Sequence, residues 1–61
     1  MSARHRAARQ RRTFIARVAR TMHREHGQVS PSDITHVAIR AGWKTNNHEV
    51  RHVLTRLNLH R

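Results

Sequence analysis

Cysteine is absent from this 61-residue chain. No disulfide can staple it, and no thiolate can hold a metal. Tyrosine is absent as well, and Phe14 and Trp43 are the only aromatic residues. That scarcity argues against a platform on which the bases of a single strand would stack. Acids are few: three Asp and Glu stand against 13 Lys and Arg, for a formal net charge of +10. No run approaches the roughly 18 apolar residues of a membrane span. The basic segment Met1 to Arg12 precedes no apolar stretch of signal-peptide type. Secretion and membrane insertion are therefore not expected. A cytoplasmic location is, or association with the nucleoid if the source is bacterial. The two glycines sit at helix ends and leave no loop to cradle a phosphate. Neither a nucleophile with its base nor a cofactor-binding pattern is evident, so no enzymatic role and no cofactor are expected.

What the chain does have is arginine. Twelve of its thirteen strong cations are Arg, whose planar fork matches phosphates and guanine edges in a way that a Lys point charge does not. A charge of this size and sign points to polyanions, in a cell chiefly nucleic acid. The length permits one small domain. A chain this short buries only about 60% of its unfolded surface, so its core is thin.

Composition divides the chain in two. Residues 1–12, MSARHRAARQRR, hold five Arg, one His and no large apolar residue after Met1. They read as a basic flexible arm. Residues 13–61 carry a helical apolar period and read as an all-α, three-helix domain.

The first helix is expected from about Arg9 to His26, with Phe14, Ile15, Val18 and Met22 on one stripe and Arg17, Arg20 and Arg24 opposite. Gly27 is its stop. The second helix opens on Ser30-Pro31-Ser32-Asp33: an N-cap, a proline where no N–H is needed, and an acid in the first turn. Val29 and Ile34 occupy the positions of a hydrophobic staple. Ile34, Val37, Ala38 and Ala41 then form one buried face, and Gly42 ends the helix in a left-handed conformation. Trp43 is placed to fold back over Ala38. The third helix starts near Thr45 or Asn46, with Glu49 completing a box-like pair with Asn46. Val50, Val53, Leu54 and Leu57 form its buried stripe. The expected core is these stripes plus Val29, with Trp43 covering one end.

Short helix, glycine turn, helix with a polar outer face: in this the stretch from about Ser30 to Leu57, under half the chain, resembles the helix-turn-helix DNA-binding superfamily. Val37, Ala38 and Gly42 match its apolar-Ala-to-Gly pattern. In the shortest form of the motif the next apolar positions would fall at His48 and Arg51. Here they come two residues later, at Val50 and Val53, so the turn is longer. The resemblance is therefore to tri-helical, winged-helix-like variants, without a wing: no segment reads as a strand. It implies a reading helix, the third, whose N-terminal half enters the major groove. Asn47, His48, Arg51, His52 and Thr55 are the candidates for base contacts. Lys44, Thr45 and Asn46 at the helix entrance, Arg56, and Arg4, Arg6, Arg9, Arg11 and Arg12 of the arm are the candidates for phosphate or minor-groove contacts.

The size and fold resemble those of small repressors and excisionase-like regulators of phages and mobile elements. Double-stranded DNA is the expected partner, bound by a homodimer or a cooperative array because one such domain spans few base pairs. Two other functions fit the charge. One is an RNA-binding or ribosome-associated protein that uses the arm on structured RNA. The other is a phage-type inhibitor that docks on an acidic host protein. His48-Glu49-Val50-Arg51-His52 also matches the zinc-protease pattern H-E-x-x-H. With seven His and two Glu in so short a chain, chance alone gives such a match about two or three times in a hundred. With neither a third ligand nor a substrate cleft, no metal site is expected there.

Overall fold

A computed structural model describes the backbone of residues 3–59 and the side chains of residues 6–59. The order is α1 (Ala3–His26), α2 (Pro31–Arg40) and α3 (Asn47–Arg56), with no strand among the described residues. Each helix packs on the other two. The molecule measures 36 × 22 × 18 Å. Its long axis matches α1, since 24 residues at about 1.5 Å each span about 36 Å.

The first helix begins six residues earlier than apolar periodicity predicts. Residues 3–10, ARHRAARQ, contain no large apolar side chain and so give no amphipathic signal. Ala, Arg and Gln are nevertheless strong helix formers, and no Gly or Pro interrupts them. The segment expected as a flexible arm is, from Ala3 onward, the N-terminal part of α1. At the other end, His23, Arg24 and His26 occupy the last turn, where positive charge favours the helix dipole.

All three helices stop at a residue with left-handed backbone: Gly27 (φ 76°), Gly42 (φ 97°) and Asn58 (φ 59°). After α2, the N–H groups of Gly42 and Trp43 donate to the carbonyls of Ile39 and Ala38, both at 3.0 Å. After α3, those of Asn58 and Leu59 donate to Thr55 at 3.1 Å and Leu54 at 2.9 Å. Both are Schellman closures, which satisfy carbonyls that the helix leaves unpaired. Asn58 takes the role that glycine has at the other two ends.

The starts of α2 and α3 follow the sequence signals. Ser30 is the cap of α2, its Oγ accepting from the Asp33 N–H at 3.4 Å, with Pro31 at the first helical position. Asn46 caps α3, its Oδ1 accepting from the Glu49 N–H at 2.8 Å.

The core consists of Ile15, Ala19, Val29, Ile34, Ala38, Val50, Val53 and Leu54. Phe14, Val18, Met22, Trp43, Leu57 and Leu59 pack around it. Trp43 sends its backbone N–H to Ala38, while its ring faces Phe14 of α1 with centroids 6.0 Å apart. The face of α2 differs from expectation. Val37 is 41% exposed, and Thr35 is buried at 8%. Ile34 and Ala38 define the buried line, and α2 leans toward the flank that carries Thr35. Its hydroxyl donates to the Pro31 carbonyl at 2.7 Å. That bond satisfies the polar group and leaves the methyl free to pack.

Candidate nucleic-acid interface

The buried stripe of α3, Val50, Val53 and Leu54, fixes which side chains point outward. Asn47, His48, Arg51, His52 and Thr55 are all exposed. At 100° per residue, His48, His52 and Thr55 lie opposite the core, and Arg51 borders them. The Thr55 hydroxyl donates to the Arg51 carbonyl at 3.0 Å. Its oxygen keeps a lone pair outward and its methyl stays free.

The candidates for phosphate contacts divide into two groups. Arg6, Arg9, Arg12, Lys44 and Arg56 are exposed, and the Arg4 side chain lies outside the described residues. The other three are engaged within the molecule. Asn46 Oδ1 is used as the α3 cap. The Thr45 hydroxyl donates to Glu49 Oε1 at 2.6 Å. Arg11 Nη2 donates to Glu49 Oε2 at 2.8 Å, and Arg11 Nε lies 2.8 Å from Oε1.

Glu49 is thus the hub of a small polar cluster that joins α1, the α2–α3 connection and the first turn of α3. Sequence spacing suggests that its carboxylate returns to the Asn46 N–H. It instead reaches Thr45 and Arg11. Burial raises the pKa of Glu49, but the Thr45 hydrogen bond, then the Arg11 hydrogen bond and the charges of Arg11 and Arg12, outweigh it and hold the pKa below its ordinary 4.5. The carboxylate is ionised at neutral pH, and its charge is matched by Arg11.

A second surface was not singled out by sequence reasoning. An open groove of about 740 Å³ runs between α1 and α3. Its sides carry Arg9, Arg12, Arg17, Arg20 and Arg24 from α1 and Arg56 from α3. Ala16, Val53 and Leu57 also line it, as do Thr13 and Thr21, and no acidic residue does. The five α1 arginines fall within a sector of about 140° on the helical wheel, which is why they share one face. The wheel alone shows that Arg17, Arg20 and Arg24 oppose the core. That α3 brings Arg56 alongside them depends on packing. Arg56 also follows His52 by one helical turn, so the groove and the outward face of α3 meet along the edge of that helix.

No protein-family model, curated protein or solved structure matches this chain significantly. Among the described residues no group of three or more His, Asp or Glu is placed to hold a metal ion. No helix among them is long and apolar enough to cross a membrane.

Proposed function

We propose that the protein binds double-stranded DNA as a helix-turn-helix-type module and acts as a small regulator of transcription. In this reading α3 enters the major groove and presents Asn47, His48, Arg51, His52 and Thr55 to base edges. Arg pairs with guanine, Asn with adenine, and the Thr methyl meets a thymine methyl. Lys44, Arg56 and the exposed N-terminal arginines Arg6, Arg9 and Arg12 hold the backbone.

One observation carries the reading: the outward side of α3 presents His48, Arg51, His52 and Thr55, with Asn47 at the helix N-terminus, all exposed and suited to base edges, and no acid. The acid nearest to it in sequence, Glu49, is turned inward and paired with Arg11. Repulsion between a carboxylate and phosphates is thereby removed from the approaching surface. The α2–α3 connection supports the same reading, since the Gly42 closure and the Asn46 cap fix the direction in which α3 leaves.

The helical course of residues 3–12 favours a second reading, in which an arginine-rich helix lies on structured RNA. One experiment separates the two. A pool of random duplexes is bound at about 150 mM salt, and what is retained is sequenced, for the wild type and for Arg51→Ala/Thr55→Ala. An enriched motif that the double variant loses supports a reading helix. Retention with no motif replaces a regulator by a sequence-independent coating protein. No retention, with RNA hairpins bound at the same salt, overturns the DNA reading in favour of RNA.

A further inference from the structure

We infer that the groove between α1 and α3 is the track for one sugar–phosphate strand of the duplex. On this inference Arg17, Arg20 and Arg24 are backbone-binding residues as much as the N-terminal arginines are. The inference rests on the DNA reading above and adds a second contact surface to it.

Three features select an extended phosphodiester chain over other anions. The first is spacing. Arg9 to Arg24 covers about 22 Å of helix, at 1.5 Å per residue. Each phosphate of a B-DNA strand adds about 3.4 Å along the duplex axis, and the winding of the strand spaces neighbouring phosphates wider than that, so this length still meets several in a row. A compact anion would meet only one or two of the arginines.

The second feature is the make-up of the walls. Six arginines from two helices line the groove, together with the apolar Ala16, Val53 and Leu57. Guanidinium forks pair with phosphate oxygens, often through two bonds. The small apolar surface beside them suits the non-polar edge of a sugar.

The third is position. Arg56 lies in the groove and one turn from His52 on the outward face of α3. A strand bordering the major groove that receives α3 would pass over this edge and into the groove. Both surfaces then serve one duplex.

The test is the salt dependence of binding. The full-length protein is titrated onto a fluorescent 20-base-pair duplex over a range of NaCl concentrations. The groove variant is Arg17→Gln/Arg20→Gln/Arg24→Gln. Arg20→Gln and Arg40→Gln are compared as single variants that each remove one charge, inside and outside the groove. Arg51→Ala/Thr55→Ala reports on α3. Circular dichroism confirms that each variant keeps the helicity of the wild type.

Each phosphate contact contributes about 0.9 to the slope of log affinity against log salt. The triple variant is expected to lower the magnitude of that slope by about 2 to 3 and to bind about 10- to 100-fold more weakly, on any sequence. Arg20→Gln should lower the slope by about 1 and Arg40→Gln by none. The α3 variant should lose sequence preference and keep most of the slope.

If the wild type binds and α3 governs preference, but the groove variants keep the wild-type slope, the strand track is overturned and the DNA reading stands. Equal losses from Arg20→Gln and Arg40→Gln also overturn it, since general charge would then account for the effect. If the wild type binds no duplex, both readings fall. Tighter binding to an RNA hairpin or to an acidic protein, lost in the triple variant, replaces duplex DNA as the occupant of the groove.

Discussion

Arg11 and Glu49 lie 38 residues apart in the chain, and Arg11 Nη2 stands 2.8 Å from Glu49 Oε2. The pair joins the middle of α1 to the first turn of α3. Arg11 is therefore a structural cation, whereas the other arginines among the described residues face solvent. Its Nε and Nη2 both meet the same carboxylate, and Thr45 holds that carboxylate from the other side.

Glu49→Gln should destabilise the fold by about 1 kcal/mol at pH 7, because the pair is partly buried and charge-assisted. In a domain of this size that is roughly 4–8 °C in Tm. The carboxylate's pKa is lowered by folding, so its contribution is present above the unfolded value near 4.5 and fades as pH falls through the lower folded value. Melting curves of wild type and variant should therefore converge below about pH 4.5. A constant gap down to pH 2 would show that the charge is not what stabilises.

At Gly42 a Cβ would meet no atom within 4 Å, yet φ is 97°. The cost of Gly42→Ala is then backbone strain alone, about 1–2 kcal/mol. Urea unfolding should show a lower midpoint with an unchanged slope. Gly42→Asn should cost less, because Asn tolerates the left-handed region, as Asn58 does here at φ 59°.

Leu54 is 1% exposed and Val37 is 41% exposed. Leu54→Ala should cost about 2–5 kcal/mol, enough to unfold so small a domain at 37 °C. Val37→Ala should cost about 1 kcal/mol or less. Reversed magnitudes in thermal melts would mean that α2 and α3 turn other faces to the core than those described.

Asn46→Ala removes the acceptor for the Glu49 N–H at 2.8 Å and should cost about 1 kcal/mol. Asn46→Asp or Asn46→Ser should restore most of it. A cap that contributes nothing would leave the three variants with one Tm.

The starts of α2 and α3 were legible because local chemistry writes them. Ser30 and Pro31 mark one start and Asn46 the other, each within a few residues of its partner. Gly42 marked the end of α2 in the same way, whereas the left-handed Asn58 has no such exclusive signature. The start of α1 escaped detection because ARHRAARQ is helical by propensity and not by pattern. Thr35 and Val37 flank the same buried line, and only the placement of α1 and α3 decides which of them goes inside. Of the candidate site, the outward residues of α3 follow from its apolar stripe. Arg11 with Glu49, and Arg56 with the α1 arginines, are long-range neighbours, and nothing in their spacing announces them.

The arginine row of α1 also gives dissolved salt two opposite effects. In the free protein the row consists of like charges one helical turn apart, which repel. Added salt screens that repulsion, so the melting temperature of the protein alone should rise with ionic strength. The same ions would compete with a phosphate strand bound as proposed and weaken that complex. If the protein binds DNA as proposed, the polyanion would become the screening agent and would stabilise the fold by mass action. Concentrated salt would thus keep the protein folded and unbound, whereas dilute salt would make folding and binding lean on each other.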